Sequence, residues 1–324
     1  MMRRTLVTLA TTAAVLTAAT TPAAAATGRN HKQGPYPLTI NGPNAFPESV
    51  AADNTSIYTG SIDDGAVDRG HLGAKTLEPF LPPGTDGRTQ VTGIKIVGDR
   101  LLVAGAFTGR FFIYTKTGKL VASYTVPNAT PPNTGEKTLV NDEAVTPDGD
   151  VYITDSFRAV VYRIPAAEVH APATGRHRTL QVAYHLPDYV AGTSNGNGIV
   201  ATPDGKSLII GYWSSGALYR LTLATGEVRK IDAPPLTSDD GIALRGNTLY
   251  IARSVNNEIA TVRLSHHDTR ATVVSERTYP GADTTTGVAV SGDRLLVTNS
   301  QMDTYLYGAP LTSPVFTVEN LPLE

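Results

Sequence analysis

The chain has 324 residues, 27 lysines and arginines against 29 aspartates and glutamates, and no cysteine. A formal charge of −2 argues against a nucleic-acid or anionic-membrane partner, which calls for a basic patch. The missing thiols exclude disulfides and cysteine-ligated metals.

Arg3 and Arg4 precede an uncharged, threonine-diluted apolar stretch over residues 5–20, and small residues follow over 23–26. That order predicts a secretory signal peptide over residues 1–26. It is too weakly apolar for a membrane span, which needs about 20 strongly apolar residues. The protein is therefore expected to be secreted, extracellular after cleavage. Residues 27–34 are polar and predict a disordered leader. Residues 35–324 remain as one folded domain, although length alone would suggest about two at ~150 residues each.

The folded part repeats one phrase six times: an oxygen-bearing residue, usually glycine next, an apolar alternation, a Gly/Asp/Asn turn and an apolar strand. The phrase opens at Glu48, Thr92, Asn141, Asn197, Asp240 and Thr286. Successive openings are 44, 49, 56, 43 and 46 residues apart, near the ~40–50-residue period of propeller blades. The two longest intervals contain residues 128–137 and 166–178, both read as surface loops. Period-two alternation across Gly-Asp, Pro-Asp-Gly or Gly-Asn signals a hairpin. Residues 110–114, 160–164 and 217–221 supply third strands, and 119–124 and 228–231 supply fourth strands. An all-β fold follows, a six-bladed β-propeller with four antiparallel strands per blade. No helix of useful length is predicted. Ring closure is expected from residues 37–40 or 314–318, without a choice between them.

In such a blade the opening residue starts the innermost strand, and the second strand runs back beside it. Residues just after the second strand then share a face with the opening residues. Ile62, Phe107, Phe157, Trp213 and Met302 form a rim above a floor of oxygen atoms, the usual make-up of a small-molecule site. Thr92, Phe107, Phe157, Trp213, Thr286 and Met302 are the candidates for touching a substrate, although Trp213 reads equally as inter-blade packing. Glu48, Asn141, Asn197 and Asp240 bring two carboxylates and two amides to one axis. Such a set suits Ca²⁺, which takes six to eight oxygens. Other divalent cations such as Mg²⁺, Mn²⁺ or Zn²⁺ remain open, although the lack of cysteine and clustered histidine weighs against zinc and copper. Taken singly, each of the four reads as a strand-entrance residue bonding local backbone; their shared register favours a common site.

The phrases Asn141-Asp142 before Pro-Asp-Gly, Asn197-Gly-Ile before Pro-Asp-Gly-Lys, and Asp240-Gly-Ile-Ala resemble the regucalcin/gluconolactonase family. That family is related to the paraoxonase- and strictosidine-synthase-like propellers. The likeness spans about residues 46–300. It implies a divalent ion held by Glu48, Asn197 and Asp240, with Asn141 at the ion or its substrate, and Asp240 as base or water-positioning group. Two departures accompany it. Leu139 stands where sugar-lactone members carry an arginine, and no opening phrase contains the histidine of paraoxonase-like members.

Weaker signals complete the reading. Gly192-Thr193-Ser194-Asn195-Gly196 matches G-x-S-x-G as a string but lacks the strand–turn–helix setting of a nucleophile elbow. The histidines show no metal-ligand spacing. Asp239 reads as an acid behind Asp240 or as a solvated or capping residue. The expected function is a secreted, calcium-dependent hydrolase of a lactone or related ester. The cation would polarise the carbonyl, and Asp240 or a water oriented by the ion would act as base. The alternative is a non-catalytic, metal-stabilised propeller that binds a small ligand or protein partner, with strictosidine-type bond formation third. The ligand is expected to be small and not strongly polar, and the protein a monomer with no membrane span.

Overall fold

A computed structural model describes residues 36–42, 45–128 and 137–323. The expected signal peptide (1–26), the leader (27–34) and most of the loop 128–137 lie outside the described residues. Strand β1 (Tyr36–Ile40) comes first. The first repeat contributes β2 (Pro47–Ala52), β3 (Ser56–Ser61), β4 (Val67–His71) and β5 (Thr76–Leu81). The second contributes β6 (Ile94–Val97), β7 (Arg100–Ala104), β8 (Arg110–Thr115) and β9 (Leu120–Thr125). The third holds β10 (Val140–Val145), β11 (Val151–Asp155) and β12 (Val160–Ile164), then helix α1 (Ala166–Val169), β13 (Arg176–Thr179) and β14 (Gln181–His185). In the fourth lie β15 (Gly196–Ala201), β16 (Ser207–Tyr212), β17 (Leu218–Thr222) and β18 (Glu227–Lys230). The fifth has β19 (Asp239–Arg245), β20 (Thr248–Arg253), β21 (Glu258–Leu264) and β22 (Ala271–Arg277). β23 (Thr285–Ser291), β24 (Arg294–Asn299), helix α2 (Met302–Tyr307) and β25 (Thr317–Pro322) end the chain.

The result is an all-β, propeller-like fold. β2 lies against β6, and β6 against β10. The series continues through β15, β19 and β23, and β23 returns to β2. Each of these strands begins a sheet that runs outward. Three sheets are the four-stranded stacks β10-β11-β12-β14, β15-β16-β17-β18 and β19-β20-β21-β22. The sequence offered two closing segments, and the structure uses both. β25 pairs antiparallel with β24, and β1 pairs antiparallel with β25, Tyr36 opposite Asn320.

Two details correct the purely antiparallel expectation. β1 also lies parallel to β5, which joins the first and last stacks into one eight-stranded sheet. β13 lies parallel to β9 as a fifth strand, inside the 166–178 stretch read as loop. Both cover outer edges, whose unpaired N–H and C=O groups would otherwise invite association. β13 has no period-two apolar signature, since Arg176, His177, Arg178 and Thr179 are all polar; β1 alternates, with Leu38 and Ile40 buried. Helices α1 and α2 are four and six residues long, too short to carry a helical period.

The core lies between neighbouring sheets, and strand alternation divides it. On β11, Val151 and Ile153 pack with Leu102, Phe111 and Ile113 of the second repeat. Tyr152, between them, packs with Ile199, Ile210 and Tyr219 of the fourth. On β20 the same split sends Leu249 and Ile251 one way and Tyr250 and Ala252 the other. Both faces are buried, so the strands read as continuous apolar runs. Each fully buried large aliphatic side chain contributes about 1.5–3 kcal/mol.

The repeat's second residue also has a physical reason. A Cβ on Gly198 would stand 2.2 Å from the Asp240 carbonyl oxygen, and one on Gly287 would stand 2.8 Å from that of Glu48. Only glycine lets adjacent innermost strands approach so closely. Beside it, the ladder slips register between Pro47 and Ser49, Val140 and Glu143, Gly196 and Ile199, Asp239 and Ile242, and Thr285 and Val288. Such bulges bend a strand and re-aim its side chain. Here they fall at the opening residues.

Candidate functional site

The re-aimed side chains meet. Glu48, Thr92, Asn141, Asn197, Asp240 and Thr286, from six strand entrances up to 238 residues apart, line one cavity of about 760 Å³. Ile62, Phe107, Phe157, Trp213 and Met302 line it as well. Every candidate site residue read from the sequence is thus brought to the same place.

Asp240 is the most heavily supported of them. Asn197 Nδ2 donates to Asp240 Oδ1 at 3.1 Å, and Ser254 and Trp213 are neighbours that favour the ionised carboxylate. Trp213 Nε1 donates to Ser254 Oγ at 3.0 Å, so the indole serves the site as well as the rim. Burial pushes the Asp240 pKa up to about 7, and the charge of Asp142 adds to this. Ser254, Asn197 and Trp213 act in the opposite direction because they favour the ionised form. Glu48 is held well above the usual carboxylate range, first by burial and then by the charges of Asp240 and Asp142, against the pull of Lys95. No donor among the described residues reaches its carboxylate, and the residue as a whole is only 9% exposed.

The amides are half committed. Asn141 Nδ2 donates to Ser156 Oγ at 2.9 Å, and Asn197 uses its nitrogen on Asp240, which leaves both carbonyl oxygens as acceptors. The threonines are more fully used. Thr92 Oγ1 donates to the Val140 carbonyl at 2.7 Å, and Thr286 Oγ1 to that of Glu48 at 2.6 Å. Both hydroxyls fasten one innermost strand to the next.

Several features add to the sequence reading. Lys95 Nζ binds Asp142 Oδ1 at 2.9 Å beside the floor. Burial works against the ammonium, but Asp142, Glu143 and Glu48 together raise its pKa. Glu143, which the sequence reading did not single out, and Asp239 are fully buried, and neither carboxylate finds a hydrogen-bond partner; Asp239 is thus neither solvated nor a backbone cap. Ser254 accepts from Trp213 and favours the ionised form of Asp240. Helix α2 stands at the mouth, its Tyr305 ring 5.5 Å from Phe46 and its hydroxyl bonded to Gln90 at 3.1 Å. A signal for the acids did exist. Asp142 occupies a glycine or serine position of the repeat, and Glu143 replaces the Val or Ile of the other five.

These donors suit a hard cation. A buried, unpartnered carboxylate, a second carboxylate and two amide oxygens converge, and burial together with neighbouring negative charge raises the pKa of both acids. Among the described residues no group of three or more His, Cys, Asp or Glu side chains is arranged to hold a metal. The candidate set instead completes itself with asparagines.

By fold the chain is similar to several solved structures. Mala s 1, the major allergen of Malassezia sympodialis, superposes with a TM-score of 0.62 at 14% identity over 88% of this chain and 95% of that one. Regucalcin from Agrobacterium tumefaciens, a calcium-binding protein, gives 0.61 at 18% identity, covering 87% and 92%. Virginiamycin B lyase from Staphylococcus aureus gives 0.57 at 15% identity, covering 89% and 99%. No protein-family model matches the sequence, and no curated protein matches it. Among the described residues no helix is long and apolar enough to cross a membrane.

Proposed function

We propose that the protein is a six-bladed propeller of the regucalcin/gluconolactonase type, exported after loss of residues 1–26, that hydrolyses a lactone or related ester. Glu48, Asn141, Asn197 and Asp240 would hold a divalent cation, calcium foremost. The cation would supply Lewis-acid polarisation of the substrate carbonyl. The carrying observation is the Asp240 carboxylate on the cavity floor, bonded to Asn197 at 3.1 Å beside the unpartnered Glu48.

Asp240 takes a proton from the attacking water and returns it to the departing alkoxide, so that the acyl C–O bond breaks to an acid and an alcohol. Asn197, Ser254 and Trp213 hold it in place. Phe107 and Phe157, with ring centroids 5.9 Å apart, keep one wall apolar and exclude water from the reacting carbonyl. Leu139 on the lining, where the resemblance leads to an arginine, speaks against a polyhydroxylated sugar lactone. The same residue favours a second reading, a cation-stabilised propeller that binds a small ligand without turning it over.

A lactone and ester panel assayed with added calcium, then with chelator, distinguishes the two. Turnover that chelation removes and Asp240→Asn abolishes supports the hydrolase. A calcium-dependent rise in melting temperature without turnover supports the binding reading. Neither effect would refute both.

A further inference from the structure

We infer that the cavity selects ligands carrying a positive charge, an aromatic or alkyl ammonium class of substrate, and rejects anions; this rests on the cavity being the ligand site. Its lining holds four carboxylates, Glu48, Asp240, Asp283 and Asp303. Among the described residues no lysine, arginine or histidine lines it. The nearest cation below the floor, Lys95, is engaged with Asp142. Arg253 is turned onto Glu258 and Glu276.

A divalent ion on the floor would balance Glu48 and Asp240 and leave Asp283 and Asp303 at the mouth. Those two flank Thr284, whose hydroxyl donates to Asp303 Oδ1 at 3.3 Å, while Thr312 donates to Asp283. Threonine hydroxyls fix the carboxylates without neutralising them. The glutamate on the floor is unpartnered and nine-tenths buried, so cation demand extends the depth of the cavity. Aromatic faces accompany this charge: Phe107, Phe157, Trp213 and Tyr307, the last 79% exposed at the mouth. Carboxylates beside aromatic faces recognise an ammonium through charge and the ring quadrupole together. A carbonyl at the floor and an ammonium at the Asp283–Asp303 side describe a cationic ester or lactone.

Trp213 is the only tryptophan of the chain and lines the cavity, so its fluorescence reports occupancy without any turnover. The full chain is titrated with benzyltrimethylammonium, its uncharged isostere neopentylbenzene and the anion benzylsulfonate, with and without calcium. The cation is expected to bind about tenfold more tightly than the isostere, and the anion more weakly than either. The double variant Asp283→Asn/Asp303→Asn, checked by melting temperature, is expected to bring cation and isostere within about twofold. Equal affinities in the parent, tighter binding of the anion, silence with all three probes, or a cation preference that survives the double variant would overturn the inference. Hydrolysis of an uncharged lactone persisting alongside equal affinities would sink the charge selection and leave the hydrolase reading standing.

Discussion

Trp213 and Ser254 lie 41 residues apart in sequence, and the indole N–H meets the serine oxygen at 3.0 Å. The bond crosses from the end of one inner hairpin to the next, and both side chains favour the ionised form of Asp240. A rim aromatic thereby acts on the acid on the floor.

Ser254→Ala removes this link and leaves Asn197 as a remaining support for Asp240. Turnover of a responsive lactone should fall about a hundredfold, in kcat rather than KM, because a misplaced base costs roughly that much. The melting temperature should stay close to the parent's. An unchanged kcat would show that Asp240 needs no such support.

Glu143 predicts a gain. The matching positions Val50, Ile94, Ile199, Ile242 and Val288 are buried and apolar, whereas Glu143 buries an acid without a partner. Its pKa is raised well above the usual range, first by burial and then by Asp142. The cost therefore grows as pH rises above the unfolded value. Glu143→Val should raise stability by about 1–3 kcal/mol at pH near 8, read from urea unfolding, and by less in acid. A lowered urea midpoint at the higher pH would contradict this account.

Gly198 tests the closeness of the inner strands. A methyl group there meets the Asp240 carbonyl at 2.2 Å, whereas one on Gly42 meets nothing within 4 Å. Gly198→Ala should lose about 1–3 kcal/mol to overpacking, and Gly42→Ala should leave the unfolding midpoint almost unmoved. Similar midpoints for the two variants would mean that the ring tolerates separation.

Asp68, on β4, isolates a pH effect away from the cavity. Burial first, then Asp64 and Glu78, push its pKa up to about 7 from 3.8. A raised folded pKa means that the native state holds the proton more tightly than the unfolded chain does. The stability so gained is complete below the unfolded value and is lost as pH rises through about 7. Asp68→Asn should flatten the decline in melting temperature over that window by about 2 °C or more. A slope identical to the parent's would remove Asp68 from the explanation.

Much of this molecule was legible because its decisive signals are local. Alternation at period two, turns such as Pro-Asp-Gly, and a recurring oxygen-bearing residue followed by glycine are properties of short segments. They place Glu48, Asn141, Asn197 and Asp240 in one register whatever surrounds them. Edge strands were harder to read. β13 has no apolar alternation because its pairing with β9 is a backbone matter, and α2 is too short for a period.

The sequence by itself determined the repeat, the all-β class and the residues that point inward, since side-chain alternation and turn chemistry are set by neighbours in the chain. Only the tertiary structure decided how those side chains are used. It spent the Thr92 and Thr286 hydroxyls on adjoining strands, joined Lys95 to Asp142, stranded Glu143, and bonded Trp213 to Ser254 beside Asp240. Hydrogen bonds and ion pairs of that kind depend on distances across the ring, and those distances exist only once the inner strands have closed on one another.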